Sequence, residues 1–358
     1  MLKEQLVMGS LMILASALVV LIGGCGGSSD TPPPSATPTP DAADPFVQNA
    51  RLGRGVNLGN ALEGPQEGDW GVTLQEEYFQ LIKIAGFDAV RIPIRWSTHA
   101  AETAPFTISP SFFERVDWAI EQSLSRDLVT VINVHHYEEI MQNPAQHEER
   151  LLALWQQIAD HYKEYPADLL FEVLNEPTGE LGSTEWNRLL VKAIDIIRQT
   201  NPDRNLIVGP ADWNSIDALG SLELSDDGRL IVTVHYYNPF HFTHQGAEWA
   251  SGSDAWLGRT WQGTVMEEQA VARDLDLAAA WAEANNRPIY LGEFGAYNKA
   301  DLDSRARWTA YVARQAEERG MSWAWWEFCA GFGVFDKGRD QWNEEIREAL
   351  IPSVDQAP

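Results

Sequence analysis

Two glutamates each follow an apolar run directly. Glu176 closes the stretch Leu169–Asn175 and is followed by Pro177, and Glu293 closes Pro288–Gly292 and is followed by Phe294-Gly295. Arg91-Ile92-Pro93, His135-His136-Tyr137, His235-Tyr236-Tyr237 and Trp325-Trp326-Glu327 close apolar runs in the same way. A rim without function would more naturally carry Gly, Asn or Ser turns. Two carboxylates at such ends, brought face to face, suit displacement at an anomeric carbon. One attacks the carbon, while the other protonates the leaving oxygen and then activates water, which requires a separation of roughly 5 Å. Mutual repulsion raises the pKa of one, as the acid requires. Glu176 is read as the acid/base and Glu293 as the nucleophile. Asn175 is suited to bonding the sugar 2-OH, Arg91 and Tyr237 to orienting Glu293 and keeping it ionised, and Trp326 to offering a flat apolar face to a pyranose ring.

Each feature has a plainer explanation. Glu before Pro often only ends a strand, Arg91 could pair with an acidic neighbour, and Trp326 could be core. The vicinal His135 and His136 could be zinc ligands, but no third ligand stands at the spacing that a closed site prefers. Six strand ends agreeing on one chemistry outweigh these alternatives. No metal and no cofactor are expected.

Eight segments read as strands: Gly55–Leu58, Ala89–Pro93, Val129–His135, Leu169–Asn175, Asn205–Gly209, Leu230–Tyr236, Pro288–Glu293 and Ser322–Glu327. Several are apolar throughout, as parallel strands covered on both faces are. Amphipathic helices fill the gaps. Leu74, Tyr78, Leu81, Ile82 and Ala85 form one stripe at helical spacing, and Trp186, Leu189, Leu190, Ala193, Ile194 and Ile197 form another. Ser109-Pro110 reads as an N-cap with proline at the first helical position. The pattern predicts a single (β/α)8 TIM barrel over residues 46–352, with its site at the C-terminal strand ends. A doubly wound sheet is the alternative, but the first strand lacks the Gly-rich phosphate turn. The connections read as mostly short, which predicts an open cleft and endo action.

Residues 1–25 read as a targeting segment: Lys3, an apolar run from Leu6 to Ile22, then Gly23-Gly24-Cys25. The ending is similar to a bacterial lipoprotein signal in which Cys25 is lipidated; an uncleaved membrane anchor is the alternative. Residues 26–45, rich in Pro, Ser, Thr and Gly, read as a tether, and residues 353–358 as a short tail. The domain would then sit outside the cytoplasm, held to a membrane through its N-terminus, or be secreted if cleavage occurs without lipidation. The chain has 358 residues and a net charge of −26, which disfavours a nucleic-acid partner. With two Cys there is no disulfide framework, and Cys329 reads as a small buried apolar residue.

Asn175-Glu176-Pro177, His235-Tyr236-Tyr237, Gly292-Glu293-Phe294-Gly295 and Arg91-Ile92-Pro93-Ile94-Arg95-Trp96 together resemble glycoside hydrolase family 5, the cellulase family A. The resemblance runs from Val56 to Ile351. It implies Glu176 as acid/base and Glu293 as nucleophile, with Arg91, His135, Asn175, His235, Tyr237 and Trp326 around them. Asn57–Glu63, His135–Glu139 and Phe242–Trp249 are similar to bacterial endoglucanases that also accept mannans, and this implies that Asn60, Glu63, His136, His244 and Trp249 line the glycone side. The expectation is a retaining endo-β-1,4-glucanase acting on β-linked polysaccharide, with mannan or glucomannan as further substrates and no protein partner required. An exo-β-1,3-glucanase, a β-glucosidase-like enzyme and a non-catalytic oligosaccharide-binding lipoprotein are the alternatives. The last would have no need of both glutamates.

Overall fold

The computed structural model describes residues 44–353. The signal segment with Cys25, nearly all of the tether and most of the tail lie outside them. The tether's last residue is already part of the fold: Pro45 opens a helix, Pro45–Leu52, and the Asp44 carboxylate accepts from the Phe46 and Val47 N–H groups.

Eight parallel strands close into a barrel: β1 Arg54–Asn57, β2 Ala89–Ile92, β3 Val129–Asn133, β4 Leu169–Glu172, β5 Leu206–Val208, β6 Leu230–Tyr236, β7 Ile289–Phe294 and β8 Ser322–Trp325. β8 pairs with β1, so no edge is left open. The observed β3, β4 and β8 stop short of their predicted ends at His135, Asn175 and Glu327. The backbone leaves the ladder there; His136 and Glu176 both have φ 48°, the left-handed region that non-glycine residues rarely adopt. His135, Asn175, Glu176 and Trp326 therefore stand on turns just beyond the ladder, whereas Arg91, His235 and Glu293 stand within β2, β6 and β7.

Strand alternation sorts the barrel interior. Ala89, Val129, Val131, Leu170, Ile207, Ile231, Tyr290 and Ala324 form an apolar layer, against which Leu52 of the N-terminal helix packs, fully buried. Two residues further along the same faces stand Arg91, Glu172 and Thr233, also fully buried. The inward face thus changes from apolar to polar along β2, β4 and β6.

Helices follow every strand except β5. Helix Glu76–Ala85 carries four of the five residues of the first predicted stripe, Leu74 standing just before it, and fully buries Ile82 among them; helix Ser183–Arg198 buries all six predicted apolar residues of the second. Helix Pro110–Leu124 has Ser109 at the N-cap position and Pro110 first, but the Ser109 hydroxyl pairs with that of Ser111 rather than with a backbone N–H. After β5 the chain makes only a short helical turn, Ala211–Asn214, and a 3-10 helix, Ile216–Ser221. The expectation of short connections fails at the C-terminal ends of the strands. The stretches 58–75, 93–109, 209–229, 237–264 and 326–343 each separate a strand from the next long helix or strand. None of the described helices is long and apolar enough to cross a membrane.

Candidate active site

Arg91 organises the site. Its Nη1 donates to Glu293 Oε1 at 2.7 Å and to Asn57 Oδ1 at 2.8 Å, and its Nη2 donates to Asn175 Oδ1 at 2.7 Å. The Tyr237 hydroxyl donates to Glu293 Oε2 at 2.9 Å. Glu293 is thus held through both oxygens, with 6% of its side chain exposed. Its inward aim comes from a register shift. Val234 pairs with Leu291 but His235 pairs with Glu293, so Gly292 is an extra residue that turns Glu293 onto the face of Tyr290. A side chain at Gly292 would come within 2.5 Å of Thr233 Oγ1 and 3.2 Å of His235 Nε2, so the bulge requires glycine.

Glu176 keeps 26% of its side chain open and bonds His235 Nδ1 at 2.7 Å. One carboxylate oxygen of each glutamate and a ring nitrogen of His235 all lie within 4.8 Å of one another. Burial pushes the Glu176 carboxyl up to about 7 and the His235 imidazole down to about 4. Between those values the acid is protonated and the ring neutral. Burial also raises Glu293, against the pull of His235, Arg91 and the Tyr237 hydroxyl. Burial and the Glu293 charge push the Tyr237 phenol well above its ordinary value, so it remains a donor.

Two amides have fixed orientations. Asn175 Oδ1 is taken by Arg91, so Nδ2 is left to donate outward. Asn133 Oδ1 accepts from the Ile94 N–H, so its Nδ2 faces His135 Nδ1 at 3.0 Å. His135, pushed well below its ordinary value by burial, is therefore neutral with its proton on Nε2. Trp326 lies parallel to His135 at 5.9 Å, and a Cβ on Gly59 would meet its ring at 3.0 Å. His136 stands edge-on to His135 and to Trp70. His244 packs edge-on to Tyr237 at 4.9 Å, and Trp249, 62% exposed, lies 6.3 Å beyond it. The structure thus gathers these predicted side chains on one rim. Glu63 departs from its expected place on the glycone wall. It is 1% exposed, and its two oxygens accept from the Asn60 and Ala61 N–H groups, so it braces the loop that carries Asn60.

Several residues escaped the sequence reading. Asn57, Asn133 and Glu172 hold Arg91 and His135 from within the strands. Glu327 accepts from the Cys329, Ala330 and Phe332 N–H groups and fixes the turn after Trp326. Trp213, 60% exposed, stands beside Pro177, whose carbonyl its N–H meets at 3.3 Å. It lies in a run, Asp212–Asn214, with φ of 57°, 58° and 53°, that turns Trp213 outward and Asn214 inward. A charged residue inside an apolar strand, as in Leu170-Phe171-Glu172-Val173, was a usable signal; nothing local marked the others. Cys329 is buried as expected, its thiol pushed up to about 12.

Glu176, His235 and Glu293 form the one group of the described residues spaced to share a metal ion. All three already bond to one another or to Arg91 and Tyr237, and the chemistry of the pair requires no ion.

A closed barrel with an acid and a braced carboxylate at its C-terminal rim defines a class, the barrel enzymes that hydrolyse O-glycosyl bonds. Residues 53–331 match the cellulase model of glycosyl hydrolase family 5, and the chain belongs to that family. It is 39% identical to Endoglucanase H of Acetivibrio thermocellus over 319 residues, covering 89% of this chain and 34% of that protein, so it spans about a third of that relative. It is 54% identical to Cel5A of Thermotoga maritima in complex with cellobiose, with a TM-score of 0.85 and coverage of 86% of this chain and 100% of that one. The same enzyme in complex with mannotriose matches at 53% identity, again with a TM-score of 0.85 over 86% of this chain and 100% of that one.

Proposed function

We propose that this chain is an endo-acting β-1,4-glucanase that retains anomeric configuration and also cleaves mannan or glucomannan. The observation that carries the retaining reading is the approach of Glu176 and Glu293 oxygens within 4.8 Å. Retaining pairs stand about 5–5.5 Å apart, whereas inverting pairs leave a gap of about 6.5–9.5 Å for water. Endo action rests on the likeness to endoglucanases, since the long rim connections remove the argument from short loops.

In the first step Glu293 attacks the anomeric carbon as Glu176 protonates the departing oxygen, giving a covalent glycosyl-enzyme. In the second, Glu176, now ionised, takes a proton from water, which displaces Glu293. Asn175 Nδ2 reaches for O2 of the reacting sugar, and Trp326 covers a ring face. Trp213, whose N–H meets the carbonyl of Pro177 next to Glu176, offers an exposed aromatic ring for a neighbouring sugar. Glucose and mannose differ only in the direction of O2. Neither leaves the site without that partner, so tolerance of both costs less than tolerance of its loss. The relative bound to cellobiose and to mannotriose supports this breadth.

The test is product analysis on carboxymethylcellulose, glucomannan, galactose-free mannan, xylan and β-1,3-glucan, with proton NMR of the first-formed sugar. The expected result is mixed oligosaccharides from the first three substrates and an initial β-anomer. Activity confined to xylan or β-1,3-glucan refutes the substrate reading, and an initial α-anomer refutes retention.

We also propose that the N-terminus is lipidated on Cys25 and holds the enzyme to a membrane outside the cytoplasm, a reading supported by the sequence alone. Cys25→Ala is expected to end incorporation of labelled palmitate and release the protein from the membrane fraction. Unchanged attachment with an uncleaved N-terminus would favour the anchor instead.

A further inference from the structure

Arg91 uses all five of its N–H donors. Beyond the three bonds to Glu293, Asn57 and Asn175, Nε donates to Glu172 Oε2 at 2.6 Å and Nη2 to Glu172 Oε1 at 2.7 Å. Both side chains of this forked pair are 0% exposed. Glu172 lies on β4, four residues before Glu176, on the far edge of the guanidinium from Glu293. It reaches no space open to a sugar.

A buried guanidinium 2.7 Å from a carboxylate would, alone, stabilise that carboxylate strongly and blunt it as a nucleophile. The same charge would also pull down the nearby acid, which must stay protonated. A carboxylate on the other edge opposes both effects while keeping the donors aimed.

We propose that Glu172 is a positioning residue that sets the charge Arg91 presents to Glu293 and Glu176, keeping one reactive and the other protonated. The proposal rests on the assignment of those two glutamates as nucleophile and acid. The groups facing Glu293 are Arg91 from β2, His235 and Tyr237 from β6 and its turn, Glu176 from beyond β4, and Tyr290 on its own strand. Those facing Glu176 are Glu293, Tyr237, His235, His136, Arg91, Glu172 and Glu138. Besides Glu293 itself, Glu172 is the carboxylate among them that bonds Arg91.

A structural role alone, as counterion to a buried arginine, makes a different forecast, and two variants separate the readings. Both are measured per active site, counted with a 2-deoxy-2-fluoro cellobioside bearing a dinitrophenolate leaving group. Glu172→Gln keeps much of the shape and removes the charge. The kcat/KM profile is expected to move to lower pH by roughly one unit on its basic limb, with the acid limb following. Formation of the fluoroglycosyl-enzyme should slow on the order of 10-fold or more. Glu172→Asp keeps the charge and loses the fork; its basic limb should stay near wild type while intermediate formation slows. Looser packing alone would shift both variants alike. Glu172→Gln with an unmoved limb overturns the proposal, as does Glu172→Asp shifted as far as Glu172→Gln. Where Glu172→Gln yields no soluble protein, Glu172→Asp decides by itself, since a shifted limb or an unchanged rate refutes the proposal. A Glu293→Ala enzyme that still turns over would refute the underlying assignment; an inactive one beside an unmoved Glu172→Gln profile would refute only the role of Glu172.

Discussion

Glu293→Ala is expected to lose kcat on every β-glycoside tested, on the order of 10⁵-fold, with little change in fold. No other carboxylate can replace it. Burial holds the Glu176 carboxyl up at about 7, so below that pH it is protonated, and Glu172 has both oxygens committed to Arg91. Glu172 also keeps Arg91 paired after the substitution, so the buried guanidinium is not stranded and the barrel should still close. The vacated space lies beneath the anomeric carbon. Azide admitted there should attack an activated glycoside from the face that Glu293 used, and the product should be the α-glycosyl azide. Stopped assays with dinitrophenyl cellobioside, with and without azide, read both effects. Residual turnover within about 100-fold of wild type, or a β-azide, would mean that Glu293 is not the attacking group.

Glu176→Ala should divide substrates by leaving group. A dinitrophenolate departs without protonation, so formation of the glycosyl-enzyme should stay close to wild type. Cello-oligosaccharides need the proton and should fall on the order of 10³-fold in kcat/KM. The second step loses its base, so the intermediate should accumulate, and azide should release it as the β-glycosyl azide. The pH profile carries the same assignment. Glu176 must be protonated in the first step, so wild-type activity is full below its pKa and falls as pH rises through about 7. Glu293 must be ionised, so activity falls as pH drops through a value that burial has raised above the ordinary carboxylate range. On the activated substrate Glu176→Ala should lose the basic limb and keep the acid one. Equal losses on both substrate types, or a basic limb that persists, would remove Glu176 from the acid role.

Much of this site was legible before folding was considered. Apolar runs ending in Glu176, Glu293, His135 and His235 placed the polar rim, because parallel strands buried on both faces must change character where they leave the core. The helical stripe around Trp186 was equally direct, since the residues that a helix buries recur at its period. The loops were not legible. Short pieces such as the left-handed turn Ala211–Asn214 and the helix Phe240–Thr243 carry too few residues for periodicity to show. Glu63 illustrates a second limit. Its residue type suits sugar binding and loop bracing equally, and only the position of the Asn60 and Ala61 N–H groups shows which its oxygens meet.

The sequence by itself determined the barrel and the strand ends at which the two glutamates stand, because strand and helix periods and the burial of apolar side chains are local properties that the order of residues encodes. Tertiary structure decided how those glutamates differ. An extra residue at Gly292 turned Glu293 inward, and Arg91 from another strand met it with a guanidinium already paired to Glu172. Glu176, in a left-handed turn against His235, kept an open edge and a proton. The physical reason is electrostatic. A carboxyl's protonation depends on burial and on the charges within a few ångströms, and here those charges arrive from strands far apart in the chain.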